Sequence, residues 1–228
     1  MHAVVTGGTG FIGGALCRSL AQKGHRVTVL TTHGRAATQR FGTSVTAVQW
    51  NGRDRGAWET SLEGADAVIN LAGAPIADGR WTATRKRLLT DSRVQLTRRL
   101  VEAISQRSAK PRVFISASCI GYYGASDDRL LTEAAPHGKG FLADLCVEWE
   151  KEAGRAAEFG SRVILLRTGM VLERDGGALP KMLLPFRLFM GGPIMPGTQW
   201  VSWIHRDDHV GLIEWALGTP SISGPINA

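Results

Sequence analysis

Four glycines set between two apolar runs are the first residues in this chain whose type and spacing imply chemistry. Gly7, Gly8, Gly10 and Gly13 follow the β-branched stretch Val4-Val5-Thr6 and precede a helical pattern carrying Ala15, Leu16 and Leu20. A strand, a tight turn and a helix N-terminus in that order turn unpaired N–H groups and the positive helix end toward phosphate, and glycine leaves no Cβ between backbone and pyrophosphate. The spacing satisfies Gly8-x-Gly10-x-x-Gly13 and Gly7-x-x-Gly10-x-x-Gly13 together. In this strand-to-helix context the pattern reads as a dinucleotide-binding turn, with Gly7, Thr9, Gly10, Phe11, Ile12 and Gly13 against the cofactor.

A second group of residues sets the type of dinucleotide. Strand two, Arg26 to Thr31, is expected to end on an acidic residue if the adenosine ribose carries a free 2′-hydroxyl. Instead the chain reads Thr31-Thr32-His33-Gly34-Arg35, with Arg40 further on, and the first acid anywhere is Asp54. Hydroxyls and cations suit a 2′-phosphate, so Thr31, Thr32 and Arg35 are assigned to the cofactor and NADP(H) is expected over NAD(H). After strand four, Leu71-Ala72-Gly73 are small enough to let the backbone approach the same ligand, and Asn51-Gly52 after strand three lies where an adenine edge is expected.

The elements that must hold these residues follow from periodicity. Helix one runs to about Lys23 and stops at Gly24. Strands are expected at 45–50, 67–71, 113–118 and 162–167, with helices over 82–106, 141–159 and 207–217, the last capped by Asp207. Alternation of strand and helix implies a doubly wound parallel α/β sheet with right-handed crossovers. The division expected is a Rossmann domain over 1–168 and a substrate-side region over 169–228, the latter more irregular through Pro180 and Pro185.

Composition narrows the setting. At 228 residues, 43% of them hydrophobic, the chain suits one sizeable domain. Its net charge of +7, from 21 Arg and 6 Lys against 20 acids, suits an anionic ligand. The ten basic residues between Arg80 and Arg112 are read as a solvated helix face and not as a nucleic-acid surface. Three scattered cysteines, Cys17, Cys119 and Cys146, give neither a disulfide framework nor metal-ligand spacing, and point to a reducing cytoplasm. No apolar run approaches the ~20 residues of a membrane span. Should the chain form a homodimer, the long helices after strands four and five offer the surface.

Several motifs together resemble the extended short-chain dehydrogenase/reductases: T-G-G-T-G-F-I-G at 6–13, N-L-A-G at 70–73, a serine-rich strand five leading to Y-Y-G, and W-I-H-R-D-D at 203–208. A-G-A-P-I-A-D-G-R-W at 72–81, D-S-R at 91–93, I-S-A-S-C-I-G-Y-Y-G at 115–124, W-E at 149–150, R-T-G-M-V-L at 167–172 and G-G-P-I at 191–194 are similar to one subgroup, the uncharacterised nucleoside-diphosphate-sugar epimerases. The resemblance spans the chain. It implies the fold, an NADP-type cofactor and a small-molecule substrate, and a C-terminal lobe of which most is expected to be missing here.

Resemblance to the wider superfamily implies a Tyr-x-x-x-Lys pair on the helix after strand five, which this chain lacks; resemblance to the subgroup implies that this loss is typical of it. The chain's two tyrosines, Tyr122 and Tyr123, have Ser126 and Asp127 four residues on, while Phe141 and Leu145 stand where the pair belongs. Ser118 at the end of strand five and Tyr122 just after it are the candidates to handle a substrate oxygen, with Arg93 as a cation for an anionic substrate or for Tyr122, and Cys119 and Cys146 flanking them. Trp81, Trp200 and Trp203 suit stacking on a substrate ring or sugar face but are equally ordinary as core or rim, and His205 is read as bonding locally within W-I-H-R-D-D; none of the four is assigned a catalytic role. The function expected is that of an NADP(H)-dependent oxidoreductase or epimerase-like protein; the alternative is an NADP(H)-binding sensor without turnover.

Overall fold

Short runs such as Ala3-Val4-Val5 and Val27-Thr28-Val29-Leu30 are buried throughout, so both of their faces must be covered. That is the requirement of a central parallel strand, and it is met by helices on both sides. A computed structural model describes residues 1–192 and 196–228. In chain order it contains β1 (His2–Thr6), α1 (Phe11–Gln22), β2 (Arg26–Thr31), α2 (Gly34–Phe41), β3 (Thr46–Gln49) and β4 (Ala67–Asn70). There follow α3 (Ala83–Thr90), α4 (Leu96–Ser105), β5 (Val113–Cys119), α5 (Phe141–Gly154) and β6 (Arg162–Thr168). The last third holds β7 (Met170–Glu173), β8 (Gly176–Gly177), α6 (Leu179–Arg187), β9 (Trp203–His205), α7 (Arg206–Gly218) and β10 (Gly224–Asn227).

Seven strands form one parallel sheet in the order β10-β6-β5-β4-β1-β2-β3, and β8-β7-β9 form a small second sheet. One face is covered by α1 and α7 around Leu16, Leu20 and Ile213, the other by α4 and α5 around Leu100, Ile104 and Ala153. Each fully buried leucine or isoleucine in these layers contributes about 1.5–3 kcal/mol. The doubly wound sheet is the expected fold. Its strand order reverses between β1 and β4, so a crevice opens at their carboxyl ends, between the glycine turn and Leu71-Ala72-Gly73. Among the described residues no helix is long and apolar enough to cross a membrane.

Several elements differ from the sequence expectation. Residues 34–41, to which the sequence pattern assigns no element, form α2, because Ala37 and Phe41 lie four apart and are both buried. The helix expected over 82–106 is interrupted by a π-helical turn at Asp91–Gln95, which turns Arg93 inward to 7% exposure. The apolar stretch around Pro180 and Pro185 is helical, with Pro180 in the first turn, where its missing N–H costs nothing. Asp207 does not cap α7. His205 does, its Nδ1 accepting from the Asp207 N–H at 3.2 Å, so Nε2 holds the proton and donates to Glu173 at 3.2 Å. Pro193 and Ile194 of G-G-P-I lie outside the described residues.

The expected boundary at 168 also divides differently in space. The small sheet lies within 170–205, whereas β10 pairs with β6 and α7 packs on α1, where Glu214 accepts from Ser19 (2.6 Å) and Lys23 (2.5 Å). Burial is the reason: Val210, Ile213 and Ala216 of α7 belong to the same core as Leu16 and Leu20.

That core carries a pH dependence. His209 is 1% exposed, shares a 2.9 Å hydrogen bond between Nε2 and Thr168 Oγ1, and is held neutral by burial, which pushes its pKa down to about 4. The unfolded chain takes up a proton on this ring below about 6.5 and the folded chain does not, so the contribution is complete above that pH and lost as pH falls toward 4. Urea titrations at about pH 7 and about pH 4.5 are expected to differ by roughly 3 kcal/mol from this residue, and His209→Gln to lose that part of the difference.

Candidate functional site

The crevice at the strand reversal is a cleft of about 280 Å³. Of the residues assigned to a cofactor from sequence, Gly7, Thr9, Gly10, Thr31, Thr32, Leu71, Ala72 and Gly73 line it together. Phe11, Ile12 and Gly13 form the first turn of α1 directly beneath, and Arg35 stands exposed in the first turn of α2, outside the lining. Asn51 and Gly52 line the cleft where an adenine edge was expected, joined by Trp50, which stacks on Trp58 with ring centroids 4.0 Å apart. Trp50 had no sequence signal beyond ending an apolar run.

The turn is built by contacts that only glycine permits. Gly7 has φ +68°, and a Cβ there would lie 2.7 Å from the Leu71 carbonyl carbon; one at Gly13 would lie 2.9 Å from that of Gly7. The turn closes through Gly10 N–H to the Gly7 carbonyl at 2.9 Å. Arg40 reaches from α2 to donate to the Thr9 carbonyl at 2.6 Å, so this cation is fixed over the turn. Gln49 fastens the β2–α2 connection, donating to the Thr32 carbonyl (2.9 Å) and accepting from the Gly34 N–H (3.3 Å).

Beneath the cleft a buried polar network fixes the strand ends. Thr6 Oγ1 donates to Asn70 Oδ1 (2.7 Å) and accepts from the Ala72 N–H (3.2 Å). Asn70 Nδ2 donates to Thr97 Oγ1 (2.8 Å), which also accepts from Trp149 Nε1 (3.0 Å). Phe11 joins the turn to the small sheet: its ring lies under Gly176 and Gly177, where any Cβ would meet it at 2.9 and 2.7 Å, and Arg206 lies 5.2 Å above its centroid.

A second cluster lies at the ends of β5 and β6, where Ser118 and Arg167 are paired in register. Ser118 is 4% exposed and donates to Glu150 Oε1 at 2.6 Å. Glu150 in turn is gripped by Arg167 at both oxygens, 2.9 Å each. Arg167 Nη1 also donates to the Tyr123 hydroxyl (2.9 Å), which donates on to Asn227 Oδ1 (2.6 Å). Burial works against the Arg167 charge, but Glu150 and Tyr123 outweigh it and raise its pKa above the usual arginine value. Tyr122 is half-buried, with the Arg167 guanidinium 3.5 Å from its ring centroid. Sequence reading missed this ion pair, although an arginine at the end of the apolar run V-I-L-L-R was a signal for a buried partner.

The positions of the absent Tyr-x-x-x-Lys pair are filled by packing. Leu145 is buried beside Leu89, Val94 and Trp149, and Phe141 meets Trp81 edge-on at 5.6 Å. Arg93 is lodged between the Gly73 backbone and the Trp149 ring, 5.3 Å from its centroid, and burial lowers its pKa. Among the described residues no carboxylate pairs with it. Trp200 and Trp203 are largely exposed.

The chain is similar to several known proteins. The family model for the NAD dependent epimerase/dehydratase family matches residues 3–227. An epimerase family protein SDR39U1 homolog, chloroplastic, from Arabidopsis thaliana is 42% identical over all of this chain, which spans 65% of that protein. Epimerase family protein YfhF of Bacillus subtilis is 39% identical, again over the whole chain and 73% of its own length. Among solved structures, human epimerase family protein SDR39U1 (isoform 2) with NADPH superposes with a TM-score of 0.85 at 34% identity, covering all of this chain and 74% of that one. A match over nearly the whole sequence, the parallel sheet with its glycine turn and the cleft at the strand reversal together place this chain in the NAD dependent epimerase/dehydratase family.

Proposed function

We propose that the chain binds NADP(H) across the β1–α1 turn and acts as an NADP(H)-dependent oxidoreductase or epimerase-like protein. Its substrate in this reading is a carbonyl, hydroxyl or nucleotide-sugar compound whose oxygen is met by Ser118 and Tyr122. One observation carries the choice of cofactor: β2 ends at Thr31, Thr32 follows it, and α2 opens at Gly34, so that two hydroxyls and a helix N-terminus, with the exposed Arg35 in its first turn, stand where a ribose-binding carboxylate would be. The NADPH bound by the human relative agrees with it. When bound, the nicotinamide supplies or accepts hydride. This chain's residues would orient it through the turn backbone and Gly73, against which the Arg93 guanidinium is lodged.

A charge-assisted hydrogen bond contributes about 1.5–3 kcal/mol, roughly tenfold to a hundredfold in affinity. Calorimetric titration is therefore expected to show NADPH binding at least about tenfold tighter than NADH, and Arg35→Ala to remove about tenfold of NADPH affinity with little effect on NADH. NADH binding as tightly as NADPH overturns the assignment.

A second reading, NADP(H) binding without turnover, is favoured by one observation: apolar Phe141 and Leu145 fill the positions of the proton-transfer pair, and the Ser118 hydroxyl donates its hydrogen bond to Glu150. Following NADPH absorbance against a panel of carbonyls and nucleotide sugars separates the two.

A further inference from the structure

Two thiols are not used by nucleotide binding or by the Ser118–Tyr122 cluster. Cys119 ends β5, Cys146 lies in the second turn of α5, and their sulfurs are 3.3 Å apart. The approach is enforced by packing. Leu145 and Trp149 fix α5 against Leu89 and Val94, and a Cβ at Gly121 would stand 3.0 Å from the Cys119 sulfur, so glycine there leaves the thiol its room. The two sulfurs are unequally placed, Cys119 being partly exposed and Cys146 buried. The third cysteine, Cys17, is fully buried on the inner face of α1, and burial pushes its thiol up to about 12.

We propose that Cys119 and Cys146 form a redox-active dithiol that a peroxide oxidises to an intrachain disulfide, with Cys119 as the attacking and Cys146 as the resolving sulfur. The Cys119 thiolate attacks one peroxide oxygen and the O–O bond breaks. The leaving hydroxide takes up a proton, and Cys119 becomes a sulfenic acid. Cys146 then attacks that sulfur as its own proton passes to the departing oxygen, the S–O bond breaks, and water leaves as the S–S bond forms. Two thiols have lost two electrons and two protons, and hydrogen peroxide has become two waters. An external dithiol reverses the change.

The local charges fit this division of roles. The hydrogen bond from Cys146 outweighs burial and, with the Gly121 N–H and the Arg93 charge, lowers the Cys119 thiol below the usual cysteine value. The same pairing and burial push Cys146 far up. Bond formation needs the sulfurs to close from 3.3 Å to about 2.05 Å, a short movement for two side chains already in contact. Cys146 and Glu150 lie four apart on α5, so the link would form one helical turn from the carboxylate that holds Ser118. None of this depends on which nucleotide the cleft takes.

The test uses the whole chain, treated with hydrogen peroxide in modest excess, alkylated and mapped by mass spectrometry. The intact mass is expected to fall by two hydrogens, two of three thiols to become resistant to alkylation, and the Cys119 and Cys146 peptides to be found linked, all reversed by dithiothreitol. Cys17→Ala should behave as wild type, and Cys146→Ser should stop at a sulfenic acid on Cys119 that dimedone traps. Three free thiols after a treatment that oxidises a peptide dithiol would overturn the proposal. So would a link involving Cys17, or further oxidation of Cys119 while Cys146 stays free. The mapping of unmodified protein decides the matter even if a cysteine variant fails to fold.

Discussion

Gly13→Ala is expected to remove NADPH binding, with affinity falling by about a hundredfold or more in calorimetric titration, since at least two charge-assisted backbone contacts to phosphate are lost together. The cause is geometric. The added Cβ would enter the space of the turn itself, 2.9 Å from both the Gly7 carbonyl carbon and the Gly8 Cα. Gly7 has no room to retreat, because its positive φ presses it against the Leu71 backbone, and β1 behind it is held between β2 and β4 with every residue buried. The helix start must therefore tilt away from the strand end, carrying with it the N–H groups of residues 11–13 proposed to face the phosphates. Gly211→Ala is the control. That position is exposed in α7 with nothing within 4 Å of an added Cβ, so the change should leave binding as it is and raise stability by up to about 1 kcal/mol. Gly13→Ala binding within threefold of wild type would mean that the turn is not the phosphate cradle.

That prediction was open to sequence reading because its signals are local. Four glycines between a β-branched strand and an apolar helix state the turn within eleven residues, and the alternation of buried strands with amphipathic helices states the parallel sheet. What stayed hidden depends on distance or on weak local signals. The helix α2 begins on glycine with no side-chain cap, so Gly34 resembles a loop until Ala37 and Phe41 are seen to be buried. The π-helical turn that buries Arg93 leaves no mark, because an inserted residue changes the phase of a helix but not its composition. Residues 206–228 return to the large sheet for the sake of a core shared with α1, which no segment within 169–228 records. The Ser118 cluster is the clearest case. Its members come from Y-Y-G, W-E, R-T-G and the chain's last residues, pieces recognisable singly by resemblance, while their hydrogen bonds join positions up to 104 apart.

That cluster gives the largest expected loss of stability. Glu150→Ala is expected to cost about 3–5 kcal/mol in urea denaturation, because it leaves the Arg167 guanidinium buried beside β5 without its countercharge. Removing Arg167 instead leaves Glu150 in the same position and should cost a similar amount. The pair itself is a different quantity: two desolvated ions repay little more than their own dehydration, so Glu150→Leu combined with Arg167→Met should recover at least half of the single loss. The recovery should be incomplete for a reason visible in the geometry. Arg167 also donates to the Tyr123 hydroxyl and to the Glu133 carbonyl, and Ser118 donates to Glu150, so the apolar pair leaves those groups short of partners. The same double variant bears on function. It frees the Ser118 hydroxyl and takes the cation off the face of Tyr122 while leaving the nucleotide turn untouched. If Ser118 and Tyr122 handle a substrate oxygen, turnover should fall while NADPH affinity holds; if the cluster only anchors β10 to the sheet, stability alone should change.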